Sequence, residues 1–126
     1  MEEKGRFELR GYLAQEDEDS FLICFRLSGE DVESPDRIKI GGMANLIIDK
    51  SSIISAIDAA GLEGVKAYGG FERTFCIKVS KGADYDSVIR EVVRIASEEI
   101  KRQIETQRNM ERKLLETSLE KYKAVI

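Results

Sequence analysis

With 126 residues, 42% of them hydrophobic and 35% charged, the chain is too apolar to stay disordered and long enough for one domain plus an extension. The net charge of −4 lies wholly in residues 1–83, which carry 11 basic and 15 acidic side chains, whereas residues 84–126 carry nine of each. No contiguous basic run exists, so generic DNA or RNA binding, which depends on phosphate neutralisation, is disfavoured, and only a local basic face made by folding is left open.

The N-terminus, MEEKGRFELR, lacks the apolar stretch of a signal peptide, and no run approaches the roughly 18 apolar residues of a membrane span. A soluble, cytoplasmic protein without membrane contact is expected. Phe7, Leu9, Gly11 and Leu13 alternate with Glu8, Arg10 and Tyr12, the period of a half-buried strand. After the polar turn Gln15–Ser20, Phe21, Ile23, Phe25 and Leu27 alternate in the same way, which predicts a β-hairpin. Ser28 to Arg37, with the only proline at Pro35, reads as a surface loop.

A third stretch begins at Arg37–Ile40, breaks at Gly41-Gly42 and resumes through Ala44 to Asp49, as at a bulge or a turn between short strands. Asp49 or Ser51 can cap a short helix carrying Ile53, Ile54, Ile57 and Ala60, with Gly61 supplying the left-handed residue that ends it. Val65–Tyr68 and Phe71–Val79 read as two strands around a Gly69-Gly70 turn. The order β-β-β(β)-α-β-β-α predicts an α+β two-layer sandwich, with a mainly antiparallel sheet and the helices on one face.

The last helix is the longest element. No Gly or Pro occurs from Asp84 to Tyr122, Asp84 sits at an N-cap position, and Lys121 and Lys123 complement the C-terminal end of the dipole. Tyr85, Val88, Ile89, Val92, Val93, Ile95, Ala96, Ile100 and Ile104 make a stripe broad enough to lie on a sheet. Glu105-Thr106-Gln107-Arg108-Asn109 interrupts it, and Met110, Leu114, Leu115, Leu119, Tyr122, Val125 and Ile126 follow on a rotated stripe. Such a helix, on the order of 60 Å long, overhangs a body about 25–30 Å across. The chain therefore divides into a body, residues 1–104, and a projecting helical extension, residues 105–126. Met110, Leu114, Leu115, Leu119 and Tyr122 are the candidate partner-binding residues, with a second copy of the chain (a dimer) favoured and another protein the alternative.

Candidate chemistry is sparse. Absence of histidine removes the common general base, Ser-His and Cys-His pairs and the usual transition-metal ligand. No catalytic, metal or cofactor site is assigned, and a non-enzymatic role is expected. Glu16-Asp17-Glu18-Asp19 could offer oxygen ligands to a hard cation but lacks the calcium-loop pattern, and reads as a solvated turn. Gly41–Asn45 matches no phosphate-binding pattern, and Gly61-Leu62-Glu63-Gly64 reads as a helix cap and tight turn rather than an RNA clamp. Arg73, in phase with Phe71, Phe75 and Ile77, reads first as an edge arginine or one paired with a carboxylate; opened into a cleft, it is the best candidate for anion binding, and Arg26 a weaker one. Cys24 and Cys76 are too few for a disulfide scaffold or zinc site, and read as reduced thiols, with a bridge between neighbouring strands as the alternative. The Glu/Lys/Arg-rich surface is compatible with a thermophilic source.

From about Asn45 onward, the order of short helix, strand pair and long terminal helix is similar to that of the small dimerisation subunit of archaeal RNA polymerase. The likeness covers less than two thirds of the chain, is one of element order alone, and assigns no family. Taken together, these features describe an assembly or adaptor protein acting through its terminal helix. A small-ligand or anion-binding regulatory domain, with a cleft between sheet and helix, is the alternative.

Overall fold

A computed structural model describes residues 7–29, 31–34, 37–40, 43–70 and 74–122, with side chains left undescribed at residue 7 and over 28–47. Strands β1 (Phe7–Glu16) and β2 (Ser20–Gly29) form the expected hairpin, in register from Phe7 opposite Gly29 to Glu16 opposite Phe21. Its turn is closed by the Asp17 N–H donating to the Ser20 carbonyl at 2.8 Å. Next come β3 (Asp31–Ser34), β4 (Arg37–Ile40), β5 (Met43–Ile47), α1 (Lys50–Ala59), β6 (Val65–Gly69), β7 (Thr74–Ser80) and α2 (Tyr85–Lys121). The main sheet has the order β1-β2-β7-β6 and every pairing in it is antiparallel; β3, β4 and β5 make a separate three-stranded meander. This is the α+β class that the element order predicts.

Three expectations need correcting. Ser28–Arg37 is not all loop, because β2 runs on to Gly29 and residues 31–34 pair with β4. Four short residues suffice for a strand once a neighbour supplies the ladder, a tertiary effect that local pattern does not carry. The β6–β7 turn is longer than Gly69-Gly70: Gly69 still lies opposite Phe75, the Gly70 N–H donates to the Thr74 carbonyl at 2.9 Å, and β7 starts at Thr74. A Cβ on Gly70 would lie 2.6 Å from that carbonyl oxygen, so only glycine allows so close an approach. Gly41, Gly42 and residues 71–73 lie outside the described residues.

The third correction concerns the cysteines. Cys24 and Cys76 stand directly opposite each other in the β2–β7 register, with Cα atoms 4.1 Å apart, and form a disulfide. The reduced-thiol reading fails because 52 residues of sequence hide a pairing that only strand order reveals. A cross-link over a loop of that size contributes on the order of 4 kcal/mol if chain entropy dominates.

One core joins the layers. Phe25 and Leu27 of β2, Ala67 of β6, and Phe75, Ile77 and Val79 of β7 face Ile53 and Ile57 of α1 and Val92, Ile95, Ala96, Ile100 and Ile104 of α2. Each buried Val, Leu, Ile or Phe among them contributes roughly 1.5–3 kcal/mol. Phe25 and Phe75 stack with centroids 5.3 Å apart. Gly11 lies opposite Phe25 on β1, and a Cβ there would meet the Phe25 ring at 2.9 Å, so the missing side chain makes room for the ring. Helix α1 starts at Asp49, whose carboxylate accepts from the Ser51 N–H at 3.0 Å, and gives way to Gly61 at φ +63°. Among the described residues no helix is long and apolar enough to cross a membrane.

Candidate partner-binding surface

Helix α2 runs unbroken from the Asp84 cap to Lys121, but its surroundings change partway along. Asp84 accepts from the Ser87 N–H at 3.3 Å and the Ser87 hydroxyl at 2.9 Å, satisfying the exposed first turn. Tyr85 anchors that end, standing edge-on to Phe21 at 5.6 Å while its hydroxyl accepts from the Gly82 N–H at 2.8 Å. From Val92 to Ile104 the helix contributes buried residues to the core, and Ile104 is the last of them. Beyond it, residues 108–122 are exposed throughout.

Large apolar side chains continue along this exposed part. Met110 is 60% exposed, Leu114 69%, Leu115 59%, Leu119 65% and Tyr122 85%. At 3.6 residues per turn their common direction is rotated by roughly 70° from the buried stripe, so the sheet that covers Val92–Ile104 cannot also cover them. Leu115, Leu119 and Tyr122 lie close together on one side of the extension, Leu114 borders them, and Met110 lies on the far side of Leu114, about half a turn from Leu119. Val125 and Ile126 lie outside the described residues.

Ion pairs line the solvent side of the docked half of the helix. Arg94 bridges Glu91 and Glu98, Arg102 pairs with Glu99, and Arg90 reaches Asp86 at 2.7 Å. Glu98, four residues before Arg102, pairs with Arg94 instead. Hydrogen bonds from Ser87 hold the Asp84 carboxyl below its ordinary range, and those from Arg94 and Arg102 do the same for Glu91 and Glu99. The same contacts push Arg94 and Arg102 up, so both stay charged at any accessible pH.

Of the two anion-binding candidates, Arg73 lies outside the described residues. Arg26 is exposed on the face of the sheet turned away from the helices, opposite Arg10 on β1 and Thr74 on β7. The layer between sheet and helices, where a ligand cleft would sit, is occupied by Phe25, Phe75, Ile77, Val79, Val92 and Ile100. Open depressions among the described residues lie elsewhere. One of about 540 Å³ joins Asp17, Asp19, Lys66, Tyr68 and Lys78; another of about 730 Å³ runs from Leu62 past Lys81 to Ser87 and Glu91. Glu16, in the acidic turn, pairs with Lys81 at 2.9 Å, and among the described residues no group of three or more acidic or cysteine side chains is placed to hold a metal ion.

The residue that sequence reasoning missed is Gln103. Buried in the α2 stripe, it accepts from the Asp49 N–H at 2.7 Å and donates to the Asp49 carbonyl at 3.1 Å. Both ends of one amide thus clamp the start of α1 to α2, and fix the helix that the extension prolongs. A polar residue three positions after Ile100, in the middle of an apolar stripe, is the signal that could have found it. No family model, curated protein or solved structure matches this chain.

Proposed function

We propose that this is a non-enzymatic assembly or adaptor protein, which associates through the α2 extension, with a second copy of the chain as its favoured partner. The observation that carries the reading is the run of Met110, Leu114, Leu115, Leu119 and Tyr122, five large apolar side chains exposed on a helix that has already left its own core. Covering them would gain on the order of 1.5–3 kcal/mol each, enough together for association once the cost of joining two molecules is met. Two copies can approach without net repulsion, because residues 84–126 carry nine acidic and nine basic side chains. A cytoplasmic setting belongs to the same reading. The Cys24–Cys76 bridge is compatible with it in the intracellular proteins of hyperthermophiles, which are rich in disulfides.

A small-ligand or anion-binding role in a cleft between sheet and helix is less favoured, because side chains fill that layer. The direct test replaces Leu115 and Leu119 by glutamate and compares sedimentation equilibrium of the two proteins. The parent chain should sediment above its monomer mass of 14.2 kDa, and the variant at that mass with an unchanged circular dichroism spectrum. Equal masses for both would remove this surface from the account.

A further inference from the structure

Folding gathers on one face of the sheet a charge that the sequence scatters. Because Phe25, Ile77 and Val79 face the helices, their alternate neighbours face the other way. Strand register then sets Arg10 beside Arg26, Lys66 beside Lys78, and between these pairs one row across all four strands: Tyr12, Cys24, Cys76, Tyr68. Arg10, Arg26, Lys66 and Lys78 are all exposed, as are Tyr12 at 51% and Tyr68 at 37%. Among the described strand residues of this face the acid is Glu8, paired with Arg10 at 3.5 Å, so the strands carry four cations against one anion, while Asp17, Glu18 and Asp19 lie at the β1–β2 turn beside Lys66 and Lys78.

The geometry fits a strand of bases. Tyr12 and Tyr68 stand on the two edge strands, about 14 Å apart at three inter-strand spacings. Between them lies the buried Cys24–Cys76 bridge, with Arg26 and Lys78 on its two sides. Open four-stranded sheets that stack two or three bases on aromatic side chains are a common way to hold single-stranded RNA, and aromatic stacking plus a cationic groove serves single-stranded DNA equally. Lys66 rests with its Nζ 5.4 Å from the centroid of the Tyr68 ring, where it occupies the face that a base would take and can swing aside to a phosphate. The acidic turn Asp17–Asp19 borders the depression next to Lys66 and Lys78 and repels phosphate, so it closes the platform at that end.

We propose that this sheet face binds a single-stranded nucleic acid, two of whose bases stack on Tyr12 and Tyr68 while Arg26 and Lys78 hold the phosphates between them. A duplex hides its base faces, and an acidic peptide has no planar group for the tyrosines. The site is separate from the α2 extension and does not depend on it.

Fluorescence anisotropy of labelled ten-residue oligo(U) and oligo(dT) with the full chain tests this at low salt. Binding should weaken with salt, with a log–log slope of about −2 to −3 if three or four phosphates are neutralised. Replacing Tyr12 and Tyr68 together by alanine should weaken binding about tenfold or more, and Arg26→Glu should weaken it and flatten the slope. Circular dichroism should show both variants folded, since the altered side chains are exposed. Equal binding of the two oligonucleotides supports stacking alone, and a preference for oligo(U) supports stacking with added 2′-hydroxyl contacts. No binding at low salt, equal competition by a duplex or by polyglutamate, or a double tyrosine variant that binds like the parent would each overturn the proposal.

Discussion

Gln103 ties local chemistry to the overall geometry most tightly. Its amide replaces water at both the N–H and the carbonyl of Asp49, so the start of α1 is held at one height along α2. Removing the amide would leave both backbone groups without a partner in a part-buried place. Gln103→Ala should therefore lower the unfolding free energy by about 1–3 kcal/mol, read from urea unfolding curves with an unchanged slope. At this scale the sequence was legible where one phase of a strand is apolar, as at Phe75, Ile77 and Val79. It was less so on β2, where Cys24 and Phe25 are both buried while Leu22 and Ile23 are both half-buried, so alternation alone does not say that Arg26 faces outward. Nor can a single sequence show that Cys24 meets Cys76, because that meeting depends on β2 lying next to β7.

Among the elements, the helices were the most legible. Caps, glycine punctuation and an apolar period of 3.6 placed both with bounds close to those observed: Asp49 caps α1, Asp84 caps α2, and Gly61 follows the first helix. Strand β3 was missed because its four residues have no stable pattern apart from the neighbour that pairs with them. The exposed ion pairs of α2 also make its stability depend on pH with a definite sign. Asp84, Glu91 and Glu99 have folded-state values below their ordinary 3.8 and 4.5, so the unfolded chain binds protons more readily than the folded one. Their contribution is complete above those ordinary values and is lost as pH falls through the lower, folded ones. Melting followed by helix circular dichroism should show a falling midpoint below about pH 4.5. Asp84→Asn should reduce that acid sensitivity, and a midpoint that rises on acidification would contradict the assignment.

For the molecule as a whole, the two halves of α2 do different work. Up to Ile104 the helix is a wall of the core; beyond it, the same backbone carries Met110, Leu114, Leu115, Leu119 and Tyr122 into solvent. The end of the buried stripe at Ile104 was legible in the sequence, since Glu105–Asn109 breaks the apolar pattern there. What covers the second stripe was not legible, because a face selects a partner by shape and charge that lie on the partner. The account holds that the extension associates, and mass in solution tests this most directly. Light scattering across a concentration series would compare the full chain with a form ending at Gln107. The account predicts a full chain heavier than 14.2 kDa and a shortened chain that remains folded and monomeric. A full chain that stays monomeric at high concentration, with no change on shortening beyond the lost residues, would contradict it.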